Sequence, residues 1–379
     1  MTTDLSPETI GQTDLTPVER RILAFVQANP ASTQTETGLA TGIPQQSVSR
    51  TVKELLARGF LVGGKRTSRG RRGHPSLTLS INPDRLFSLG VSIMADAVAL
   101  MLIDMTGAER GYTVFRPATM SRQSVLDCAR QGLDALCGKI GIRPPQVFGI
   151  GVGITGFVLP DGRSFNTPRS LDEWANLDVA AVFQEAFGRP AWADNDGNVA
   201  AIGESLVGVG KWARNFAYLY ISTGFGGGII ANGQLLRGRH GNAGEFAQML
   251  PPMIYPSPTL ELLRQTMAWR GVGYENVSDL LENFSVDQPG VAEWVAKVAD
   301  TLTLVCGSCH AVLDPDAIVL GGRMPRALAE LVIPRIAFHS VPRRGVATKA
   351  PPVVPAAAPG DATALGAAAM PLKFSVYSA

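Results

Sequence analysis

The chain has 379 residues, enough for two or three domains that each bury a core. Its hydrophobic fraction of 45% and charged fraction of 17% are typical of a soluble globular protein, and no apolar run reaches the roughly 18 residues that a membrane helix needs. Residues 1–14 are polar and acidic and lack a secretory signal pattern. These features argue against a membrane or secreted protein and predict a cytoplasmic one.

Basic residues are unevenly distributed along the chain, whose net charge is only +2. Residues 45–80 contain a single acid, Glu54. The basic residues of the same segment are Arg50, Lys53, Arg58, Lys65, Arg66, Arg69, Arg71 and Arg72. A local cationic surface attracts phosphate backbones, so this segment is a candidate contact for nucleic acid.

The first 82 residues follow a winged helix-turn-helix pattern. Thr16, Pro17 and Glu19 form a capping box with proline in the first turn, which predicts the start of a helix. The elements predicted in order are a helix from Pro17, a helix at about 35–40, a turn at 42–44, a helix at 45–58, a strand at 60–62, a basic loop at 63–76 and a strand at 77–79. We assign residues 1–82 to a winged helix-turn-helix DNA-binding domain.

The start of the third helix and the basic loop carry the residues expected to touch DNA. Polar side chains at a helix start suit base edges in a major groove, where glutamine pairs with adenine and arginine with guanine or phosphate. Arginines at the tip of a wing suit a minor groove or phosphates. The predicted DNA-contacting residues are Gln45, Gln46, Ser47, Ser49, Arg50, Arg69, Arg71 and Arg72. The alternative is a basic, solvated appendage.

From residue 83 onward, predicted strands and helices alternate, which is typical of an α/β architecture. The pattern occurs over 87–154 and again after Asp196. We therefore expect residues 83–379 to form two lobes with a cleft between them. The Pro- and Ala-rich segment 350–359 fits either an edge strand or a loop.

Three polar and glycine motifs in this region predict a sugar site. Asp194-Asn195-Asp196 ends a strand, Ser222 to Gly228 is a glycine-dense turn, and Glu245 follows Gly244. Carboxylates and amides can grip the hydroxyls of one small molecule, and a glycine-rich turn lets backbone amides approach an anion. In the alternative interpretation, Asp196 only caps a helix and Glu245 is a surface charge.

The string Cys306-Gly307-Ser308-Cys309-His310 matches the haem-attachment pattern C-x-x-C-H. It lies in an apolar helical pattern, and the chain shows no export signal. Buried cysteines that pack as small hydrophobic side chains explain the string better than haem or redox chemistry. Four cysteines are also few for a disulfide framework.

Five strings in fixed order behind the winged helix resemble the ROK family of repressors and sugar kinases, over residues 20–372. They are 149–156 (GIGVGITG), 194–198 (DNDGN), 223–228 (TGFGGG), 241–245 (GNAGE) and 313–322 (LDPDAIVLGG). The resemblance implies a two-lobed, actin-like ATPase (sugar kinase-like) domain with the sugar between the lobes. It places Asn195, Asp196, Glu245 and Glu261 at sugar-contact positions. Gln248, where family members have histidine, can still bind a hydroxyl.

The chain departs from the family's kinases where they hold the nucleotide. Their D-x-G-x-T pattern corresponds to residues 92–96, with Ser92 for the aspartate, Met94 for the glycine and Asp96 for the threonine. Asp96 would repel ATP phosphates, and the metal and phosphate ligands are missing. We therefore predict a kinase-like domain with no catalytic residues and no cofactor. The alternative function is an ATP-dependent sugar kinase.

Two further departures concern metal and specificity. Many family members follow the glutamate with Gly-His and a zinc-binding cysteine cluster, whereas this chain has Ala247-Gln248 and no Cys or His in 250–258, so we predict no metal. The N-L-x-x-W sugar loop reads S-L-D-E-W at 170–174, and Thr155 replaces a loop proline. Glucose-type specificity is therefore not assumed.

Together these observations predict a sugar-responsive, DNA-binding transcriptional regulator, a repressor that a sugar or small polyol releases or modulates. A homodimer or dimer of dimers would place winged helices on an inverted-repeat operator in double-stranded DNA. The ligand must favour the weak-binding state by differential affinity. A third possibility is a DNA-binding protein whose sensor pocket has lost its ligand.

Overall fold

The N-terminal unit is a winged helix-turn-helix in the computed structural model, which describes residues 14–67, 76–339, 342, 344–358 and 360–378. Its elements are helices α1 (Pro17–Ala28), α2 (Gln34–Thr41) and α3 (Gln45–Ala57) and strands β1 (Ser32–Thr33), β2 (Leu61–Thr67) and β3 (Ser76–Ile81). Capping boxes pair Thr16 with Glu19 and Thr33 with Glu36 at the starts of α1 and α2. The strands are antiparallel in the order β1-β3-β2.

Strand β2 is longer than the sequence predicts. We expected the basic loop to begin at Gly63, but the strand continues to Thr67, with a shift of register between Gly63 and Arg66. The glycines permit this pairing, because a Cβ at Gly63 or Gly64 would lie 2.7 or 2.5 Å from side-chain atoms of β3. The predicted wing residues Arg69, Arg71 and Arg72 lie outside the described residues.

The rest of the chain contains two five-stranded sheets with the same strand order. The first sheet consists of β4 (Phe87–Ile93), β5 (Val98–Asp104), β6 (Glu109–Phe115), β7 (Val147–Ile154) and β10 (Ala191–Asn195), ordered β6-β5-β4-β7-β10. The second consists of β11 (Phe216–Ile221), β12 (Phe225–Ala231), β13 (Gln234–Leu235), β14 (Ala317–Gly322) and β15 (Val353–Pro355), ordered β13-β12-β11-β14-β15. A small hairpin is formed by β8 (Phe157–Val158) and β9 (Phe165–Asn166). The repeated order confirms the two-lobed α/β prediction, and β15 shows that segment 350–359 contains an edge strand.

Two helices pack between the sheets. The helices of this region are α4 (Arg122–Ile140), α5 (Val179–Phe187), α6 (Asp196–Val207), α7 (Leu260–Trp269), α8 (Val277–Glu282), α9 (Val291–Leu313), α10 (Arg326–Val332) and α11 (Ala362–Leu372). Helix α6 packs on β12, α11 packs on β4 and β7, and the two helices contact each other. Glycine makes the approach of α11 possible, because a Cβ at Gly151 would lie 1.8 Å from the Ala367 carbonyl oxygen.

Helix α9 is a core helix of the second lobe, although it also has the length and hydropathy of a membrane span, which the sequence reading did not anticipate. Its Trp294, Val298 and Leu302 are fully buried in the core that includes β11. Cys306 and Cys309 lie in the same core, and burial raises the pKa of both thiols. This environment fits the predicted structural role of the two cysteines.

The N-terminal unit is hydrogen-bonded to the segment that follows it. Asn82 Nδ2 donates to the Gly59 carbonyl at 2.8 Å, and Arg85 Nε donates to the Arg58 carbonyl at 2.9 Å. A turn at Lys373–Tyr377, directly after α11, packs against α1. Helix α11 therefore connects the interface of the lobes with the winged helix. The domain boundary at residue 82 stays a prediction.

Candidate functional site

Asp196 is the first residue of α6 and lies directly after β10. Its carboxylate accepts hydrogen bonds from Thr155 Oγ1 at 2.8 Å and from the Gly197 amide at 2.9 Å. Burial, together with the nearby Glu245 carboxylate, raises the pKa of Asp196 to about 7. Near neutral pH, Asp196 can therefore present either a proton donor or an acceptor to a ligand hydroxyl.

Glu245 approaches from the second lobe. Gly244 before it has φ +104° and lies so close to β12 that a Cβ would be 2.6 Å from the Gly227 carbonyl oxygen. The half-buried Glu245 has a raised pKa because burial disfavours its charge. Within the described residues, its carboxylate has no hydrogen bond or ion pair. The structure therefore brings Asp196 and Glu245 together as two carboxyl groups, with Glu245 left open to an added donor.

Asn195 is the residue that caps α6, a role that the alternative interpretation gave to Asp196. Its Oδ1 accepts from the Gly197 and Asn198 amides at 2.8 and 3.3 Å, and its Nδ2 donates to the Gly156 carbonyl at 2.5 Å. The side chain thus ties the end of β7 to the start of α6. Direct contact between Asn195 and a sugar stays a prediction.

No side-chain hydrogen bond or ion pair among the described residues joins Gln248 or Glu261 to this pair, although the Gln248 backbone amide donates to the Glu245 carbonyl at 3.0 Å. Gln248 is exposed. The Glu261 carboxylate accepts from Arg264 Nη2 at 2.7 Å and Nε at 2.9 Å, and these bonds, with the Arg264 charge, lower its pKa. The roles of both residues in sugar binding stay predictions.

The glycine-dense segment is mostly strand, so the prediction of a long turn is wrong. Only Ser222–Gly224 form the turn, and Gly226–Gly228 belong to β12. A Cβ at Gly227 would lie 2.0 Å from the Tyr218 carbonyl oxygen, and one at Gly228 2.9 Å from that of Gly197. These glycines serve close packing of β12 with β11 and α6 instead of an anion cradle.

Three contacting residues near the site were not selected from the sequence. Thr155 was considered only as a replacement for a proline, yet its position at the end of β7, beside β10, was a signal for the site. Asn242 accepts from the Val158 amide and donates to the Val158 carbonyl, both at 2.8 Å. Arg237 Nη1 lies 2.5 Å from Asp194 Oδ2. These contacts join the segment before Glu245 to the first lobe.

Asp96, which stands at the threonine of the nucleotide-binding pattern, is paired with another side chain of the protein. Asp96 lies in the turn between β4 and β5, and its Oδ1 is 2.7 Å from Arg323 Nη1. Burial alone would raise the pKa of Asp96, but the Arg323 charge and hydrogen bonds from Ser278 and Arg323 outweigh it and lower the pKa. No group of three His, Cys, Asp or Glu side chains in the described part of the chain could hold a metal ion.

The predicted DNA-reading residues of α3 lie on its outer surface. Gln45, Gln46, Ser49 and Arg50 are exposed, and Ser47 is half-buried. Gln45 also packs toward α2, since a Cβ at Gly38 would lie 2.9 Å from its Oε1. Gln46, Ser49 and Arg50 are exposed to solvent on one face of α3.

Similarity to known proteins supports both halves of the architecture. Residues 88–254 match the ROK family, and residues 13–73 match the MarR family. The chain carries a ROK domain. A crystal structure described as a ROK family transcriptional regulator, homolog of E. coli MLC protein, superposes with a TM-score of 0.72 at 17% identity, covering 98% of this chain and 97% of that chain. The winged helix-turn-helix is thus part of a fold shared with another ROK protein.

Both repressors and kinases occur among the relatives of this ROK protein. The xylose repressor of Bacillus spizizenii is 26% identical over 61% of this chain and 59% of its own length. The N-acetylmannosamine kinase of Vibrio cholerae O1 (strain ATCC 39541) is also 26% identical, over 74% of this chain and 98% of its own length. Identity alone therefore does not separate the two functions, whereas the winged helix favours a regulator.

Proposed function

We propose that this ROK protein is a sugar-responsive transcriptional repressor that acts on DNA in the cytoplasm. The observation that carries the proposal is the pair of carboxyl groups, Asp196 and Glu245, at the cleft of a domain to which a winged helix is docked. Both have a raised pKa. Because neither has a cationic partner in the described residues, a ligand with several hydroxyls would supply the missing hydrogen bonds.

A sugar suits this pair for reasons of geometry and chemistry. Thr155 and Asp196 come from the segments that follow β7 and β10, whereas Glu245 comes from the second lobe. A polyol that contacts both sides would favour one separation of the lobes over others. Such differential affinity is what a ligand needs in order to shift a conformational equilibrium.

Helix α11 provides a path from the cleft to the DNA reader. Asp361 caps its start and Thr363 lies 3.4 Å from the Tyr220 hydroxyl of the second lobe. Along its length it packs on β4 and β7. The following turn packs on α1, and its Tyr377 donates a hydrogen bond to the carbonyl of Met105, the residue after β5. A change at the lobe interface would therefore reach the winged helix through α11 and tilt it.

The kinase alternative lacks support at the phosphate position. Phosphoryl transfer depends on metal and on cationic groups that neutralise developing charge. Here Ser92 and Met94 replace the family's aspartate and glycine, and Asp96 neutralises Arg323. We propose that the domain binds sugar without transferring phosphate.

DNA binding would use the exposed face of α3 in a major groove. Arg50 and the polar residues beside it are positioned to reach base edges or phosphates. We further propose a homodimer, or dimer of dimers, on an inverted repeat, because one α3 helix reads only a single half-site.

The test is a mobility-shift titration of the full chain on its own upstream DNA, with excess competitor DNA and then a panel of monosaccharides. A competitor-resistant complex that one sugar releases is the expected result. Absence of a specific complex at moderate salt, together with ADP release from Mg²⁺, ATP and a sugar, would overturn the proposal in favour of a kinase. A specific complex that no sugar changes, with no sugar-induced rise in melting temperature, would reduce the protein to a DNA-binding protein without a ligand.

Two variants separate DNA binding from sugar binding. Arg50→Ala is expected to weaken DNA binding by about tenfold or more without changing sugar binding. Glu245→Gln is expected to retain the DNA complex but require more sugar for its release. Arg326→Gln, on an exposed surface ion pair with Glu330, is the matched control for both.

A further inference from the structure

Three side chains close a compact hydrogen-bonded ring where the two lobes meet. Arg323 Nη1 donates to Asp96 Oδ1 at 2.7 Å, and Arg323 Nη2 donates to Ser278 Oγ at 2.6 Å. Ser278 completes the ring, because its Oγ and its backbone amide donate to Asp96 Oδ2 at 2.7 and 3.0 Å. Each of the three residues therefore contacts the other two.

The ring joins elements from opposite lobes. Asp96 belongs to the turn between β4 and β5 in the first sheet. Ser278 lies in the first turn of α8, and Arg323 directly follows β14 of the second sheet. A second bridge, the ion pair of Arg116 with Glu282, connects the end of β6 to the end of α8. One side of the cleft is thus held by side chains of the protein itself.

The ring borders a cavity of about 390 Å³ between the lobes, whose lining includes Ser278, Arg323 and Arg116. The Asp96 and Arg323 side chains are only 16% and 13% exposed. In such surroundings an unpaired charge is costly. The complete ring is therefore stable, and a state in which one partner has moved away is strongly disfavoured. Such a contact has two discrete states, made or broken.

We propose that Asp96, Ser278 and Arg323 form an interlobe latch that holds the two lobes together across the cleft without a nucleotide. Attraction between the lobes needs opposite charges that face each other. Here a carboxylate on one lobe and a guanidinium on the other provide that attraction within the protein. The latch rests on the proposed function only in its consequence, which is that the lobes would already be joined before any sugar binds.

The test is hydrogen exchange of the purified full chain without DNA or sugar, comparing wild type with Arg323→Gln. Exchange is expected to accelerate at least tenfold in the turn at 94–97 and in the first turn of α8. Acceleration is also expected at the neighbouring bridge, 113–117 and 281–284, because the lobes separate as bodies. The control is Arg326→Gln, which removes an exposed ion pair three residues further on and should leave all these segments unchanged.

Two results would overturn the latch. One is wild-type exchange in all four segments, and the other is acceleration confined to 94–97 and the first turn of α8 with none at 113–117 or 281–284, which would make the ring a local structural contact. If Arg323→Gln does not fold, Asp96→Asn carries the test, since it keeps the side-chain volume and removes the charge; unchanged exchange in that variant would equally contradict the latch. Neither readout depends on DNA or sugar, so the latch and the proposed function can fail separately.

Discussion

Asp196, which is buried, and Asp96, whose side chain is 16% exposed, have opposite hydrogen-bonding environments at one cleft. Asp96 is paired with Arg323 and Ser278, and its pKa is lowered. Asp196 receives one side-chain hydrogen bond, from Thr155, and its pKa is raised to about 7. Burial disfavours the charge of both, so the difference lies in the partners that the protein provides.

The contrast distinguishes a structural carboxylate from one that is available to a ligand. A carboxylate whose acceptors are filled by the protein gains nothing from a sugar. A carboxyl group held in a cleft with few partners keeps unused capacity for hydrogen bonds, which a ligand can fill. Under the proposed function, the Asp196 side of the cleft would bind the sugar, whereas the Asp96 side would hold the lobes together.

The largest expected effect on stability comes from removing the cationic partner of Asp96. Arg323→Ala leaves Asp96 without its cation and should lower the free energy of unfolding by about 3 kcal/mol or more. Arg326→Ala removes an ion pair with 66% and 56% exposed side chains and should cost less than about 0.5 kcal/mol. Urea unfolding followed by tryptophan fluorescence measures both. Equal losses in the two variants would contradict the contrast.

A somewhat smaller effect, on sugar affinity, is expected from changes to Asp196 and Glu245. Replacing Asp196 by Asn and Glu245 by Gln together removes both carboxyl groups at nearly constant volume. Affinity for the sugar that most stabilises the wild type should fall about 100-fold, or about 2.7 kcal/mol, in isothermal calorimetry. Glu330→Gln is the exposed control. A double variant with wild-type affinity would place the sugar elsewhere.

The pH dependence of stability offers a third test. The pKa of Asp196 rises from an ordinary 3.8 to about 7 in the folded chain, so its favourable contribution is complete below about pH 4 and is lost as the pH rises to about 7. Asp196→Asn cannot ionise, so its stability relative to wild type should be greater at pH 8 than at pH 4, by on the order of a few kcal/mol. Urea midpoints at both values measure this. Asp127→Asn, at an exposed carboxylate, should show no such dependence; a gain for Asp196→Asn that is equal at both pH values would contradict the raised pKa.

Much of the fold and part of the site could be predicted from sequence. Apolar periodicity and caps predicted the start of α1 and the bounds of α3 and α9 nearly to the residue, because these signals are local. The prediction of a turn at the glycines 226–228 was wrong, because sequence does not distinguish a glycine that permits packing on α6 from one that forms a turn. Contacts such as Asp96 with Arg323 join residues far apart in sequence, so only the fold reveals them.

Thr155→Val gives the smallest expected effect on stability and tests the environment of Asp196 alone. The Thr155 hydroxyl is the one side chain in the described residues that donates to Asp196, and removing it should raise the pKa of Asp196 further. A hydrogen bond to a charged group is stronger than one to a neutral group, so the loss of stability should be about 1 kcal/mol at pH 8 and about half of that at pH 5.

The matched control for Thr155→Val is Thr167→Val, since Thr167 donates to the Leu171 carbonyl at 2.8 Å and touches no carboxylate in the described residues. Its loss should be the same at pH 5 and pH 8. If both threonine variants lose the same amount at both pH values, the Thr155 hydroxyl does not sense the charge of Asp196. Asp196 would then not change its ionisation between pH 5 and pH 8, which would contradict the raised pKa that distinguishes it from Asp96.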